Sequence, residues 1–257
     1  MLRGMYSSIS SMITLQARQG IITNNLANMN TTGYKTETLV GKSFDEIILH
    51  NKDNYKNGTS HINELGGLSF GVRMDDTATS FKQGTLISSE NNMDFAILGN
   101  GFFQVIDESN NSFYTRDGSF KMNPQGYLVT NSGHYVMGTN NQTNNLERIY
   151  VGHDSINITP DNNIEINGIK KYRFNIVDFE NYDTLVKYGN NLYKGDGGFK
   201  SNNYSIKQKY LEGSNLDYIN EIASMMETVK EFEANQKVIQ TIDSTLSQIA
   251  NEIGTVR

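Results

Sequence analysis

The chain has 257 residues and a net charge of −6, and is 37 % hydrophobic and 19 % charged, a balance that argues against nucleic acid or an anionic membrane as its main partner. It contains no cysteine, which excludes a disulfide framework and thiol chemistry. No apolar run approaches the ~20 residues a spanning helix needs, so direct membrane insertion is not expected. The N-terminus, MLRGMYSSISSMITLQ, interleaves apolar residues with Ser and Gln and lacks the h-region of a secretory signal; a chain that left the cytosol would need another route.

Residues 1–36 read as a helix. Leu2, Met5, Ile9 and Met12 follow the alternating three–four spacing, and Ile13, Ala17, Ile21 and Ile22 broaden the apolar face. The stretch Asn28–Gly33, NMNTTG, is a stop signal with Gly33 suited to a left-handed cap. Residues 37–79 show no strong period. The polar tract NKDNYKNG and the glycines at 66, 67 and 71 predict an extended connector.

Residues 80–212 carry strand signals. GNGFFQVID is a short aromatic and β-branched run opened by glycines. Asp117-Gly118, Pro124-Gln125-Gly126 and Asn167-Gly168 mark turns between alternating segments, which predicts a central all-β domain. Residues 213–257 read as a second, longer helix of about 55–60 Å, with Ser214 as its expected N-cap. Its stripe runs through Ile222, Met226, Val229, Phe232, Ile239, Ile242, Leu246 and Ile249. A stripe that long needs a long partner. The first helix is basic before Glu37, whereas the last carries seven acidic residues against three basic ones from Ser214 onward, so the two are natural mates. The fold class is α+β: long N- and C-terminal helices paired as a coiled-coil-like stalk, with a central all-β domain.

Catalytic chemistry is hard to place in this chain. His50, His61, His134 and His153 are scattered, with no second ligand at metal spacing. Gly99-Asn100-Gly101 begins like a dinucleotide loop, but Gln104 takes the third glycine position. Asp75-Asp76 and Asp107-Glu108 lie in polar surroundings, where solvated faces are commoner than acid–base pairs. The chain is read as a non-enzyme without metal or cofactor. Its Met and Ile stripes are read as packing groups of an interface.

Three stretches together resemble the bacterial flagellar basal-body rod and hook family. They are the N-terminal NNLANMNTTGYK; the run DFAILGNGFF with YTRDGSF and NPQGYLV; and LEGSNLDYINEIASMMETVKEFEANQKVIQTIDSTL. The β-block separates the chain from the short rod proteins, and its length leaves little room for the hook protein's further insertion, which points to the FlgF and FlgG types. The resemblance implies a structural subunit that self-assembles into a helical axial shaft. It also implies neighbouring rod and hook proteins as partners, and export through the flagellar type III apparatus to a place outside the cytoplasmic membrane. On that resemblance Asn25, Leu26, Asn28 and Asn235 join the helix stripes as assembly residues. The alternative is an extracellular adhesin, a β-domain on a helical stalk, with an aromatic cluster around Tyr182, Tyr188 and Tyr193 as its ligand surface.

Overall fold

A computed structural model of the chain describes residues 2–56, 59–152, 154–201 and 203–254. The three–four spacing forms helices at both ends, α1 (Leu2–Ala27) and α2 (Tyr218–Gly254). No helix among the described residues is long and apolar enough to cross a membrane. The chain divides into two compact units: residues 1–25, 37–78 and 218–257 form the first, and residues 26–36 and 79–217 the second.

In the first unit the helices run antiparallel. Asn235 Nδ2 donates to Ser11 Oγ at 3.2 Å and Asn25 Nδ2 to Glu221 Oε1 at 2.8 Å, while a β-carbon built on Gly4 would lie 3.9 Å from Ile242 Cδ1. From Gly4 through Ser11 to Asn25, and back from Ile242 through Asn235 to Glu221, the steps are equal. One register therefore holds along α1. Ser8, Leu15 and Ile22 are buried at seven-residue steps, each of the first two preceded by a half-buried methionine, Met5 and Met12. Among the described residues no ion pair joins α1 to α2, so side-chain amides hold the register instead.

The expected connector is a structured ribbon. β1 (Glu37–Ser43) pairs with β4 (Val72–Thr79), and β2 (Ile47–Lys56) pairs antiparallel with β3 (Thr59–Leu68). Its strands carry no polar–apolar alternation because both faces of the described part are largely exposed: Val40, Phe44, Ile47, Ile48, Leu65, Val72 and Met74 all face solvent. Gly71, at φ +130°, sits against α1, where a β-carbon would collide with Ser10 Oγ.

The second unit is built on a 13-stranded sheet. Its main path, antiparallel at every pairing, runs from Ile156–Ile158 through 163–166, 169–174 and 135–140 to 102–106, 112–115, 192–194 and 186–189. Phe95, Phe103, Phe120 and Phe174 form an aromatic centre with ring centroids 5.1–6.2 Å apart, and a smaller cluster gathers Phe102, Val177, Phe179, Leu185 and Tyr193. The asparagine-rich composition supplies the turns. Among the described residues, six of the seven non-glycine residues with positive φ are Asn, the residue whose short amide tolerates that region best. Asn167-Gly168, both at positive φ, makes the hairpin turn expected there. Side-chain amides also close strand edges. Gln208 accepts from Ile158 N and donates to Ile156 O, and Asn162 accepts from Ile206 N and donates to Tyr204 O.

The segment after α1 is threaded into this unit as a strap. Gly33, at φ +67°, passes so close to Arg116 and Asp117 that a β-carbon would collide with their backbone; it caps no helix, since α1 has already ended at Ala27. Gly33 N donates to Glu212 O at 2.7 Å, Thr32 Oγ1 to Asp117 Oδ1 at 2.7 Å and Asn191 Nδ2 to Thr32 O at 2.9 Å. Lys35, with no exposed surface, donates to Glu212 Oε1 at 2.7 Å and to Lys82 O at 2.6 Å. Glu212 also accepts from Gly84 N at 3.0 Å and from Arg116 Nη1 at 3.3 Å. Ser214 is not the N-cap of α2, which begins at Tyr218. Its Oγ accepts from Leu216 N, and Asn215 is spent on the strap, accepting from Thr36 N and donating to Ser80 O.

Glu212 is one carboxylate facing two cations. Burial holds the Lys35 ammonium below its ordinary 10.5, against the pull of Glu212 and with repulsion from Arg116. Replacing Glu212→Gln leaves both cations buried without a counter-charge and is expected to destabilise the second unit by about 3–5 kcal/mol, whereas Lys35→Met, which leaves the Arg116–Glu212 pair, should cost clearly less. Urea melts of the two variants give the ranking. Because the native state binds the Lys35 proton more weakly than the unfolded chain, stability should rise as pH climbs toward 10.5 and fall as pH drops; in Lys35→Met that slope should vanish. In the first unit, Asn25→Asp removes the donor to Glu37 O and Glu221 and sets a carboxylate beside Glu221. A loss of about 2 kcal/mol is expected at neutral pH, shrinking below about pH 4 as the carboxyls protonate, readable by thermal melts at both pH values.

Candidate assembly surfaces

The residues expected on the stripes fall into three groups. Met5, Met12, Ile222, Val229, Phe232, Ile239, Ile242 and Leu246 are half-buried, as helix–helix seam residues are. Ile9, Ile249 and Met226 face outward; Met226 is 57 % exposed, and Met225 takes the half-buried place beside it. The side chain of Leu2 lies outside the described residues.

The asparagines have different work. Asn25 is buried and bonds to both Glu37 N and Glu37 O as a strand would, with its amide also reaching Glu221. Asn235 bonds across to Ser11. Asn28 and Leu26 belong to the second unit, where Asn28 Oδ1 accepts from Thr31 Oγ1 and Leu26 is half-buried. These amides therefore make contacts inside their own chain. Sequence reasoning missed the small polar seam residues Ser8 and Thr228, both buried. Thr228 satisfies its hydroxyl on Ser224 O, which is how a polar residue passes unnoticed in an apolar seam.

Outside the seam, the first unit exposes apolar surface. Tyr6, Ile9 and Ile13 of α1 line a shallow apolar groove with Ser10, Phe44 and Phe70. Tyr6 and Ile13 are more than half exposed. Arg3, one turn before Tyr6, and Arg18, which lines a separate pocket with Glu37 and Glu221, form no ion pair among the described residues. In the second unit the three tyrosines of the adhesin reading part company. Tyr193 is buried, Tyr182 packs against Phe81 and Phe102, and only Tyr188 is exposed, tilted over Phe113 at 4.8 Å. The Tyr182 hydroxyl is pushed up to about 12 by burial and by its hydrogen bond to Asp178, a packing effect within an aromatic cluster. Among the described residues no group of His, Asp and Glu is arranged to hold a metal.

The strap, the Arg116-Asp117 turn and the Glu212–Asn215 segment are the places where the three sequence stretches singled out above come together. Comparison with known proteins matches those same stretches. Residues 5–35 match the family described as flagella basal body rod protein. Residues 96–169 match the flagellar hook protein FlgE/F/G D1 domain, and residues 207–252 the flagellar basal body rod FlgEFG protein C-terminal region. The chain is 34 % identical to the flagellar basal-body rod protein FlgG of Buchnera aphidicola subsp. Baizongia pistaciae, over 91 % of this chain and 94 % of that one. It is 30 % identical to the flagellar hook-basal body complex protein FlhO of Bacillus subtilis over the full length of both, and 32 % identical to FlgG of the same organism over 98 % of this chain and 99 % of that one. These matches give the adhesin alternative no support. The chain belongs to the flagellar basal-body rod family of the FlgF/FlgG type, and is a structural rod subunit and not an enzyme.

Proposed function

We propose that copies of this chain polymerise through the first unit into a helical axial shaft that transmits torque and encloses the export channel. The observation that carries this reading is how little of the first unit is buried. Thr228 alone among the described side chains of α2 is fully buried, and most of the ribbon's described apolar residues face solvent, with Leu39, Leu49, Leu68 and Phe70 half-buried. A two-stranded ribbon is marginal by itself, and helices of this kind draw most of their stability from packing. Neighbouring copies supply the missing partners, and contacts that do not close on themselves generate a helical polymer. The stripe residues Met5, Ile9, Met12, Ile222, Met226, Val229, Phe232, Ile239, Ile242, Leu246 and Ile249 carry the helix packing within and between copies.

The further partners are rod and hook proteins at either end of the shaft and the flagellar type III export apparatus, with assembly outside the cytoplasmic membrane. Loosely packed terminal helices suit passage through a narrow channel, because little core has to be unmade beforehand.

Deleting residues 1–25 and 218–257 leaves the strap, with Lys35, and the whole second unit. That fragment is expected to melt cooperatively and stay monomeric in sedimentation at concentrations where the full chain polymerises. Deleting residues 1–36 instead removes the strap and should lower the second unit's stability by several kcal/mol. A full chain that stays monomeric at every concentration, or a helix-deleted fragment that polymerises as well as the full chain, overturns the proposal.

A further inference from the structure

We propose that the apolar groove on α1 is the docking site for the C-terminal turns of α2 from a second copy of this chain. The inference rests on the self-assembly reading above and assigns it a site. The groove presents Tyr6, Ile9 and Ile13 at steps of three and four, walled by Phe44 and Phe70 of the ribbon. It spans two helical turns, about 10 Å. An amphipathic helix laid in such a groove offers anchors at the same spacing. Leu246, Ile249 and Ile253 repeat that spacing over the same length of sequence.

Two observations favour this occupant. The first is charge. Before Glu37 the N-terminal segment carries only cations, and Arg3, one turn before Tyr6 on α1, forms no ion pair among the described residues. The last turns of α2 carry Asp243 and Glu252 and no basic residue before Arg257, so the two faces attract. The second is register. Gly4 stands opposite Ile242, so among the described residues no part of α1 stands opposite the turns beyond it, and Ile249 is exposed there. The groove and these turns are different surfaces of one molecule. Their contact is heterologous, the kind that builds a helical polymer when its rotation does not close into a ring.

The absence of cysteine makes the test clean. Ile9→Cys and Ile249→Cys are made as separate full-length variants, mixed, polymerised and oxidised. By the helix register, Ile249 of the same chain lies about 18 Å along the axis from the level of Ile9, too far for a disulfide, which needs Cα atoms within about 7 Å. Cross-linked dimers are expected at least tenfold above those from Thr23→Cys mixed with Ile249→Cys, Thr23 being exposed on the same helix away from the groove. Circular dichroism and the polymerisation of each single variant show that neither substitution disrupts the fold. Polymers that form without this enrichment overturn the docking site and leave self-assembly standing. A chain that forms no polymer overturns both.

Discussion

Glu212 is the group on which the second unit depends. A fully desolvated carboxylate is costly, and its Coulombic gain repays that cost only when every lone pair is met. Here the carboxylate's partners come from three places in the chain, Lys35 on the strap, Gly84 N and Arg116, while the Glu212 backbone carbonyl accepts from Gly33 N of the same strap. Each is useless to Glu212 unless the others have arrived. The carboxylate therefore ties the strap, the strand that ends at Glu212 and the Arg116-Asp117 turn into one cooperative object. Gly33 permits it, because only a residue without a β-carbon can lie so close to the Arg116-Asp117 backbone.

The first unit is held by a different kind of bond. Asn25 and Asn235 lock α1 to α2, and Asn25 takes both backbone groups of Glu37. The same device recurs wherever the chain has a strand edge or a joint to close, at Gln208, Asn162 and Asn215. A side-chain amide offers one donor and one acceptor at the spacing of a peptide group, so it can stand in for a strand. Such bonds need only a fixed neighbour and are available to elements with little core. Amide locks backed by an aromatic core in one unit, and amide locks with little core in the other, imply unequal local stability along one chain.

Both helices, the hairpin turns and the all-β character of residues 80–212 were legible because they follow periods or turn chemistry. The ribbon was not, because strands exposed on both faces show no alternation. Nor was the seam. α1 carries more apolar residues than it can bury, so Ile9 and Ile13 looked like core while Ser8 and Leu15 were passed over. On α2 the adjacent methionines 225 and 226 are equivalent by composition, and only the partner's position decides which turns inward. The burial of Lys35 was beyond reach for another reason. Lysine is almost never fully buried unless paired, and its pair lies far along the chain, at Glu212.

That Ile9 and Ile13 face outward changes what an apolar excess means. If the helices satisfied all their apolar residues on each other, nothing would remain for a neighbour. If they were matched by charge, Arg3 and Arg18 would be neutralised within the chain. Instead the register is set by amides, which consume neither apolar surface nor net charge. The outer faces thus keep apolar groups for burial, and α1 keeps cations that form no ion pair among the described residues against an acidic excess on α2. A subunit that spends its most transferable interactions on its own fold makes a monomer. One that holds itself together with short-range, geometry-bound hydrogen bonds retains the longer-range forces for building a shaft.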